Sequence, residues 1–425
     1  MSSNQSDWSV DEWLEYLEAI HPTEIDMGLE RTVGVAQVLG CLKPAPLVIL
    51  VGGTNGKGTT SALIAALLRA QGLRVGVYNS PHIHRYNERV SVDGELISDA
   101  DLCRSFAATE VARADTSLTY FEFGTLAALW HFAQQPLDAV VLEIGLGGRL
   151  DAVNVVDADI SVVTSIGLDH QAWLGDTVEQ IAYEKCSIAR DGRWLVCGQP
   201  DAPETAQETT ESLGGLWCAR DQRFGISQQF GIEQNVTGLE LWYTAASGDR
   251  VELVLPVAKI PYHNVATAIQ ALALIERLPV PDIIADVVGT LRVPGRWQTF
   301  QRGGQTLVLD VAHNPQAAAY LCTQVPHVDC LILGMLVDKD VAGVMAALPA
   351  ADKIYTVSLD CWRGRSAEQT AADVLAAGFE VTGQFASMGE ALAAMPSEGV
   401  TLAAGSFYTV EAASELIEEG EWNSI

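Results

Sequence analysis

The spacing of apolar residues predicts a helix at the start of the chain and, after it, strands that alternate with helices. Ser9 and Glu12 have the spacing of a capping box, and apolar side chains recur after them at helical intervals. A second helix is expected over 30–39, because Gly40 is a typical helix stop. The continuous apolar run 47–51 is typical of a strand that is buried on both faces.

The alternation continues through most of the chain, with one interruption in the middle. The expected strands are 75–78, 139–144, 160–165, 307–310, 330–333, 354–357 and 400–403. The expected helices are 59–71, 123–134, 177–189 and 264–278. The stretches 239–244 and 251–255 instead have the short alternating pattern of antiparallel strands. Strands that alternate with helices predict right-handed βαβ units and a mostly parallel sheet.

A glycine-rich turn follows the first apolar strand. Residues 52–60 read GGTNGKGTT. Glycines let backbone N–H groups face a polyphosphate, and the helix that begins here adds a favourable dipole. Lys57 can reach the outer phosphates, and the two threonines offer a hydroxyl to Mg²⁺. The strict phosphate-loop pattern is not met, because position 51 is valine and Gly58 separates lysine from threonine. A plain glycine turn with an exposed lysine is the alternative, but the flanking strand and helix favour nucleotide binding.

The length of the chain and a proline–glycine pair predict how it divides into domains. At about 150 residues per domain, 425 residues correspond to two or three domains. Pro294 and Gly295 interrupt the pattern where the alternation restarts. We therefore predict an α/β protein whose N-terminal domain, over 1–295, is of the P-loop type with a mostly parallel sheet. A smaller, Rossmann-like α/β domain is expected over 296–425.

Composition narrows the classes of partner. Asp and Glu total 54 against 25 Lys and Arg, so the net charge is -29, and such a field repels nucleic acids. The eight cysteines show no metal-type spacing and are expected to be reduced thiols. We see neither a signal peptide nor an apolar run of about 18 residues that would cross a membrane. A cytoplasmic monomer that binds no nucleic acid and no membrane is expected.

Polar residues stand at the ends of three predicted strands. Ser80, Glu143 and His170 would project from the carboxyl edge of the sheet, next to Lys57. Oxygen ligands suit Mg²⁺, which takes others from phosphates and water. The alternative makes Glu143 a salt-bridge partner and His170 a helix cap or core residue, but the shared edge favours a metal site. Lys185, on the next helix, would by composition alone be a solvated charge.

Motifs along nearly the whole chain resemble those of the dihydrofolate synthase and folylpolyglutamate synthase family, within the Mur-type ATP-dependent ligases. They are GTNGKGT at 53–59, SPH at 80–82, NER at 87–89, LTYFE at 118–122, EIGLGGRLDA at 143–152, GLDH at 167–170, EK at 184–185, PGR at 294–296, DVAHNP at 310–315, DKD at 338–340 and GSFYTV at 405–410. The opening segment and residues 118–122 are most similar to the bacterial bifunctional members.

The resemblance implies a reaction. ATP phosphorylates the carboxylate of dihydropteroate or of a reduced folate, and the amine of L-glutamate attacks the acyl phosphate. The product is dihydrofolate in the first case and a longer polyglutamate chain in the second. Folate substrates are anionic, so the acidic chain would need a locally positive pocket, for which Arg85, Arg89 and Arg149 are the candidates.

Carried over by position, the resemblance also implies residue roles. The catalytic residues would be Lys57, His170 and Lys185, of which the last matches a lysine that the family carbamoylates. The Mg²⁺ ligands would be Ser80, Glu143 and His170. ATP would contact Thr54, Asn55, Gly56, Lys57, Gly58, Thr59, Asn264, Arg296 and Asp310. The pterin would contact Asp26, Met27, Gly28, Leu29, Thr119, Tyr120, Phe121, Glu122, Leu150, Asp151 and Ala152. Glutamate would lie towards Arg363 and Ser406, and His313 would contact a ligand or the other domain.

Three other functions stay open at this point. Another Mur-type ligase, acting on a cell-wall precursor, would need a uridine-nucleotide pocket, which the opening segment does not suggest. A P-loop kinase or phosphotransferase would use Lys57 but leave the motifs at 310–315 and 405–410 without a role. A nucleotide switch would bind ATP without glutamate-dependent turnover.

Overall fold

The chain divides into two compact units, and the division falls between Leu291 and Arg292. The computed structural model describes residues 7–23, 25–232, 235–418, 420 and 422–425. Each unit contains a sheet of mostly parallel strands that alternate with helices, so the predicted α/β class is confirmed. The division precedes the Pro294–Gly295 pair from which we predicted a boundary.

The first unit contains eleven strands and ten α-helices among its described residues. The strands are β1 (Leu47–Gly52), β2 (Val75–Tyr78), β3 (Val90–Val92), β4 (Glu95–Leu96), β5 (Ala139–Glu143), β6 (Ile160–Val163), β7 (Trp194–Cys197), β8 (Leu216–Ala219), β9 (Gly225–Ile232), β10 (Asn235–Thr244) and β11 (Arg250–Pro256). The helices are α1 (Val10–Ala19), α2 (Glu30–Leu39), α3 (Lys57–Arg69), α4 (Asp99–Arg113), α5 (Tyr120–Ala133), α6 (Gln171–Leu174), α7 (Val178–Cys186), α8 (Glu204–Ser212), α9 (Tyr262–Leu274) and α10 (Pro281–Thr290).

The main sheet of the first unit places β1 at its centre. The strand order is β4-β3-β2-β5-β1-β6-β7-β8, and β2, β5, β1, β6, β7 and β8 run parallel. Val51 pairs with Glu143 on one side of β1, and Gly52 pairs with Val163 on the other. The chain reverses its winding direction around β1, and ligands of such sheets bind beyond the strand ends at that point. A separate antiparallel sheet has the order β11-β10-β9.

The second unit repeats the arrangement on a smaller scale. Its strands are β12 (Gln298–Arg302), β13 (Gln305–Leu309), β14 (His327–Leu333), β15 (Ala350–Val357), β16 (Gly383–Phe385), β17 (Gly399–Ala404) and β18 (Asn423–Ser424). Its helices are α11 (Pro315–Gln324), α12 (Val341–Ala347), α13 (Ala367–Ala376), α14 (Met388–Ala394) and α15 (Phe407–Glu418). The sheet order is β16-β15-β14-β17-β13-β12-β18. The pairs β12–β13 and β12–β18 are antiparallel, and the pairs among β13, β14, β15, β16 and β17 are parallel.

Several predicted boundaries were wrong by a few residues, for local reasons. Helix α3 begins at Lys57 and not at 59, because Gly56 takes the left-handed N-cap conformation. Helix α5 begins at Tyr120 and not at 123, because the capping box starts at Thr119. Helix α4 was not predicted at all, since polar and small residues dilute its apolar face.

An aromatic cluster holds α1, α4 and α5 of the first unit together. The ring of Phe106 on α4 lies 5.9 Å from Trp13, 5.9 Å from Phe123 and 5.6 Å from Tyr86, measured between centroids. All four side chains are buried. Among the residues described, no helix is both long and apolar enough to span a bilayer.

We predict that Phe106→Ala destabilises the first unit by about 3–5 kcal/mol, because it removes an aromatic ring from a packed cluster. The change is measurable by urea denaturation followed through tryptophan fluorescence, since Trp13 is in contact. The control is Val111→Ala on the same helix, where the side chain is 62% exposed. Equal losses in the two variants would contradict the packing described here.

Candidate active site

The glycine-rich turn after β1 has a backbone that side chains would disturb. Gly53 and Gly56 have φ values of 142° and 85°, in the region that favours glycine. A Cβ atom at Gly56 would lie 2.6 Å from Oδ1 of Asn264 on α9. The turn therefore needs glycine both for its conformation and for the close approach of Asn264.

Two polar residues that we did not predict hold this turn in place. The backbone N–H of Thr54 donates to the carbonyl of Ser165 at 2.9 Å, and that of Asn55 donates to the Ser165 hydroxyl at 2.9 Å. The Thr164 hydroxyl donates to the carbonyl of Asn55 at 2.6 Å. Thr164 and Ser165 follow β6 directly, so a polar pair after an apolar strand was the available signal.

The polar side chains of the turn fold back onto it. Lys57 Nζ donates to the carbonyl of Gly53 at 3.1 Å, and the Thr59 hydroxyl donates to that of Gly56 at 2.9 Å. Asn264 Nδ2 donates to the Thr59 hydroxyl at 2.6 Å. Oδ1 of Asn264 is buried, and no hydrogen-bond partner for it occurs in the described part of the chain. A bound ligand can supply that donor.

Ser80 and Glu143 meet beside this turn. The Ser80 backbone N–H donates to Oε2 of Glu143 at 3.2 Å. Glu143 is buried, with only 4% of its surface exposed. A Cβ atom at Gly58 would be 3.7 Å from the same oxygen. The carboxylate therefore lies at the start of α3, where Mg²⁺ and phosphate would be expected.

His170 stands at the N-cap of α6 in a left-handed conformation, with φ of 51°. The alternative interpretation of His170 as a helix cap therefore fits its position, although its side chain makes no capping hydrogen bond. Its backbone N–H donates to Asp169 Oδ1 at 2.9 Å, and its Nε2 lies 4.0 Å from the same oxygen. The predicted role of His170 as a metal ligand with Ser80 and Glu143 stays a prediction; oxygen and nitrogen donors of this kind suit a divalent cation that also binds phosphate.

Lys185 is buried in α7, so the alternative of a solvated surface charge is wrong. The residue is 4% exposed, and burial, together with the charge of Lys57, lowers the pKa of its ammonium group to about 7. The nearby carboxylates of Asp169 and Asp151 oppose that shift. A buried lysine whose pKa is near neutrality is partly uncharged at pH 7, and the uncharged amine is a nucleophile.

The segment 145–149 packs directly on α7. A Cβ atom at Gly148 would lie 2.6 Å from the carbonyl oxygen of Glu184 and 3.1 Å from Cα of Lys185. The Arg149 N–H donates to that same carbonyl at 2.9 Å, and Arg149 Nε donates to Glu184 Oε1 at 2.9 Å. The close contact fixes Lys185 relative to the end of β5.

The predicted pterin segments form a joined group in the first unit. Arg31 donates to Asp26 Oδ2 at 2.6 Å and to Glu122 Oε1 at 2.9 Å, and so connects the loop 26–29 to α5. The other oxygen of Glu122 accepts the Thr119 N–H at 2.7 Å. These contacts show that Asp26, Glu122 and Thr119 stabilise the loop and the start of α5. Their role in substrate binding stays a prediction. Arg31 was not predicted.

Phe121 and Asp151 border the segment after β5 from two sides. The ring of Phe121 lies over Gly145, where a Cβ atom would collide with it. Asp151 accepts the N–H of Leu146 at 2.7 Å and that of Val153 at 2.9 Å, and burial raises the pKa of its carboxyl group to about 6. Leu150 and Ala152 flank Asp151. A Cβ atom at Gly147 would be 3.9 Å from Cε of Met27, which brings the loop 26–29 to the same place.

In the second unit, Arg296, Asp310 and His313 gather at the end of β13. Asp310 accepts the N–H groups of Trp297 and Ala312, each at 2.9 Å. Burial raises the pKa of its carboxyl group, and the positive charge of Arg296 opposes this. The Arg296 guanidinium stacks over the ring of Phe407, 5.6 Å from its centroid.

Ser406 and Arg363 follow two other strands of the second unit. The Ser406 hydroxyl is 2.7 Å from that of Thr409, which donates to the carbonyl of Gly334 at 2.8 Å. Ser406 is buried and helps to begin α15. Arg363 lies after β15, with its guanidinium over Trp362. The glutamate contacts predicted for Ser406 and Arg363 stay predictions.

Comparison with known proteins gives the family. The Mur ligase middle domain matches residues 51–274, and the Mur ligase glutamate ligase domain matches 295–407. The dihydrofolate synthase/folylpolyglutamate synthase of Escherichia coli (strain K12) is 42% identical over 412 residues, which cover 96% of this chain and 95% of that protein. The chain belongs to the dihydrofolate synthase/folylpolyglutamate synthase family of Mur ligases.

Solved structures of this family have the same fold. E. coli FolC in complex with DHPP and ADP superposes with a TM-score of 0.88 at 40% identity, over 98% of this chain and 99% of that one. A bifunctional folylpolyglutamate synthase/dihydrofolate synthase with Mn, AMPPNP and L-glutamate bound gives 0.87 at 40% identity, over 97% and 99%. The predicted family and the predicted class of enzyme, an ATP-dependent ligase, are confirmed.

We predict that Gly148→Ala lowers the free energy of unfolding by about 1–3 kcal/mol, because the new methyl group meets backbone atoms of α7 that cannot rotate away. Urea denaturation measures this loss. The matched control is Gly34→Ala in α2, where nothing lies within 4 Å of the added Cβ atom. That change should stabilise by about 0.5–1 kcal/mol. Unchanged stability of Gly148→Ala would contradict the contact with Glu184 and Lys185.

Proposed function

We propose that this chain joins L-glutamate to dihydropteroate, giving dihydrofolate, and to reduced folates, through an ATP-derived acyl phosphate. The arrangement around the end of β1 carries the proposal. There Lys57, the Ser80–Glu143 pair and buried Lys185 lie on adjoining segments. The relatives named above, with ADP, AMPPNP, L-glutamate and DHPP among their ligands, support it. The monomeric state and cytoplasmic location stay predictions.

The chemistry explains why these residues are needed. A carboxylate is a poor electrophile, so its oxygen first attacks the γ-phosphorus of ATP and ADP departs. The glutamate amine then attacks the acyl carbon, an amide forms and phosphate leaves with the former carboxylate oxygen. Positioning and neutralisation of charge supply most of the rate. Lys57 swings from its loop carbonyls to the terminal phosphates, while the backbone N–H groups of the turn hold the others.

The metal ligands that fit are Ser80, Glu143 and His170. The ion would neutralise phosphate oxygens when ATP is bound. A relative with Mn and AMPPNP bound supports a divalent ion in this family. For this chain we propose Mg²⁺, because oxygen donors dominate the set.

Carbamoylation of Lys185 is part of the proposal. Only a neutral amine attacks carbon dioxide, and burial in α7 favours the neutral amine. The product is an anion in place of a cation, which reverses the charge facing Lys57. That anion would balance the metal and the lysine at the phosphate site.

Two binding regions complete the assignment. Phe121 and the segment 150–152 would hold the pterin ring, with Asp151 accepting its N–H groups. The family resemblance assigns ATP contacts to Asn264, Arg296 and Asp310, and L-glutamate contacts to Ser406 and Arg363. His313, whose Nδ1 is 2.9 Å from the carbonyl oxygen of Val311, would contact a ligand from the same strand end.

Phosphate release from ATP tests the function. The assay contains L-glutamate with either dihydropteroate or a reduced folate, and release that depends on both amino acid and pteroyl substrate is expected for each. Release with the reduced folate alone would restrict the chain to polyglutamylation. No glutamate-dependent release with either substrate would instead favour another Mur-type ligase or a phosphotransferase.

We predict that Lys185→Ala abolishes ligation while the chain stays folded, because the carbamate is lost. A ¹³C resonance from labelled bicarbonate should appear in the wild type and be absent in Lys185→Ala. The resonance should weaken as the pH falls below about 7, where the amine is protonated. Full activity of Lys185→Ala would remove Lys185 from the phosphate site. The matched control is Lys43→Ala, since Lys43 is half-exposed and pairs with Asp159 at the opposite edge of the sheet.

A further inference from the structure

Arg89 is a buried cation for which the described residues supply no carboxylate partner. The residue is 9% exposed, and its Nε donates to Nδ1 of His82 at 2.8 Å. Within the described ranges of the chain, no carboxylate lies at ion-pair distance from its guanidinium. The carboxylate of the preceding residue, Glu88, turns the other way and accepts the N–H groups of residues 83–85. Buried arginines are normally paired with an anion.

Neutral groups surround the Arg89 guanidinium. It lies over the rings of Tyr86 and Tyr120, 5.1 Å and 5.8 Å from their centroids, and close to the Tyr78 hydroxyl. His82 accepts from Arg89 through Nδ1, so the histidine is uncharged and its Nε2 carries the proton. Aromatic faces attract a cation, but they do not replace the charge of a counter-ion.

Arg89 contacts a segment next to the phosphate site and another next to the predicted pterin site. Its carbonyl accepts the N–H of Asn79, which directly precedes Ser80. Tyr120, which it stacks on, begins α5 next to Phe121. A substrate that reaches from the pterin segment to the phosphate turn would pass this point.

The other two arginines of the expected positive pocket are already paired. Arg85 donates to Asp99 at 2.8 Å, and Arg149 lies 2.9 Å from Glu184. In a chain of net charge -29, Arg89 thus retains a positive charge that its own neighbours do not compensate. An anionic ligand would compensate the charge of Arg89.

We infer that Arg89 binds a carboxylate of the pteroyl substrate, and that this carboxylate is its counter-ion. The inference rests on the proposed function and adds a residue that selects the substrate. A phosphate is not the expected anion, because the turn 52–60 and Lys57 serve the phosphates of ATP. The fork of N–H donors on a guanidinium matches the two oxygens of a carboxylate. Tyr86, Tyr120 and His82 orient that fork.

The inference separates binding from stability. A buried charge without a compensating partner opposes folding, and replacement of buried ionic groups by apolar residues of similar volume is often neutral or stabilising. Arg89→Met should therefore keep or raise the thermal midpoint of the free protein. It should also weaken dihydropteroate binding by about 10- to 100-fold, the loss typical of a hydrogen-bonded charge. A purely structural arginine would give the opposite result, with a lower midpoint and unchanged binding.

The experiment is calorimetric titration of dihydropteroate, and of the same compound without its carboxylate, into the wild type, Arg89→Met and Arg89→Lys. The wild type should prefer the carboxylate, Arg89→Met should bind both compounds alike, and Arg89→Lys should retain part of the preference. ATP affinity should not change. The control is Arg74→Met, at the amino end of β2, where the arginine pairs with Asp93 at 3.1 Å.

Each contrary result is distinct. If Arg89→Met still prefers the compound with the carboxylate, the inference is overturned and the proposed function stands. The same holds if Arg89→Met loses affinity for ATP and not for dihydropteroate. If Arg89→Met does not fold, unchanged binding by Arg89→Lys overturns it equally. If the wild type binds no dihydropteroate and turns over neither pteroyl substrate, the proposed function fails, and the inference with it. Binding is measured without ATP or glutamate, so a failure of catalysis alone leaves the first two results readable.

Discussion

The position of β1 between β5 and β6 is the constraint on which the first unit depends. Pairing on both sides sets Val51 opposite Glu143 and Gly52 opposite Val163. The glycine turn must therefore leave the sheet between a carboxylate on one side and the Thr164–Ser165 pair on the other. Hydrogen bonds from that pair then fix the turn, and through it the beginning of α3. Because the strands are parallel, their carboxyl ends lie at the same edge of the sheet, and the groups that follow them lie close together.

Buried charge is the second theme of the molecule. Glu143, Lys185, Asp151 and Arg89 are all nearly inaccessible, and burying a charge opposes folding unless a partner compensates it. Lys185 and Asp151 respond by pKa values that move towards neutrality. Buried charges and shifted pKa values of this kind are expected in a ligand-binding site. The large aromatic and aliphatic core beneath, with Trp13, Phe106 and Phe123 at its centre, offsets the cost.

Sequence patterns predicted what depends on near neighbours. The capping box at Ser9, the left-handed stop at Gly40 and the apolar strand β1 are all confirmed, because each is determined within a few residues. Contacts over long separations were not accessible. Arg31 joins Glu122 across 91 positions, and Thr164 reaches Asn55 across 109. Nothing local marks such polar pairs, and the resemblance to a family supplied residue roles that spacing alone left open.

The decisive measurement follows the oxygen atoms of the substrate. Dihydropteroate labelled with ¹⁸O in its carboxylate is incubated with the protein, ATP and L-glutamate, and the released phosphate is examined by mass spectrometry. Passage through an acyl phosphate predicts one labelled oxygen in the phosphate for each amide formed. Amide formation with phosphate that carries no label would contradict the account, because the carboxylate would then never have attacked ATP.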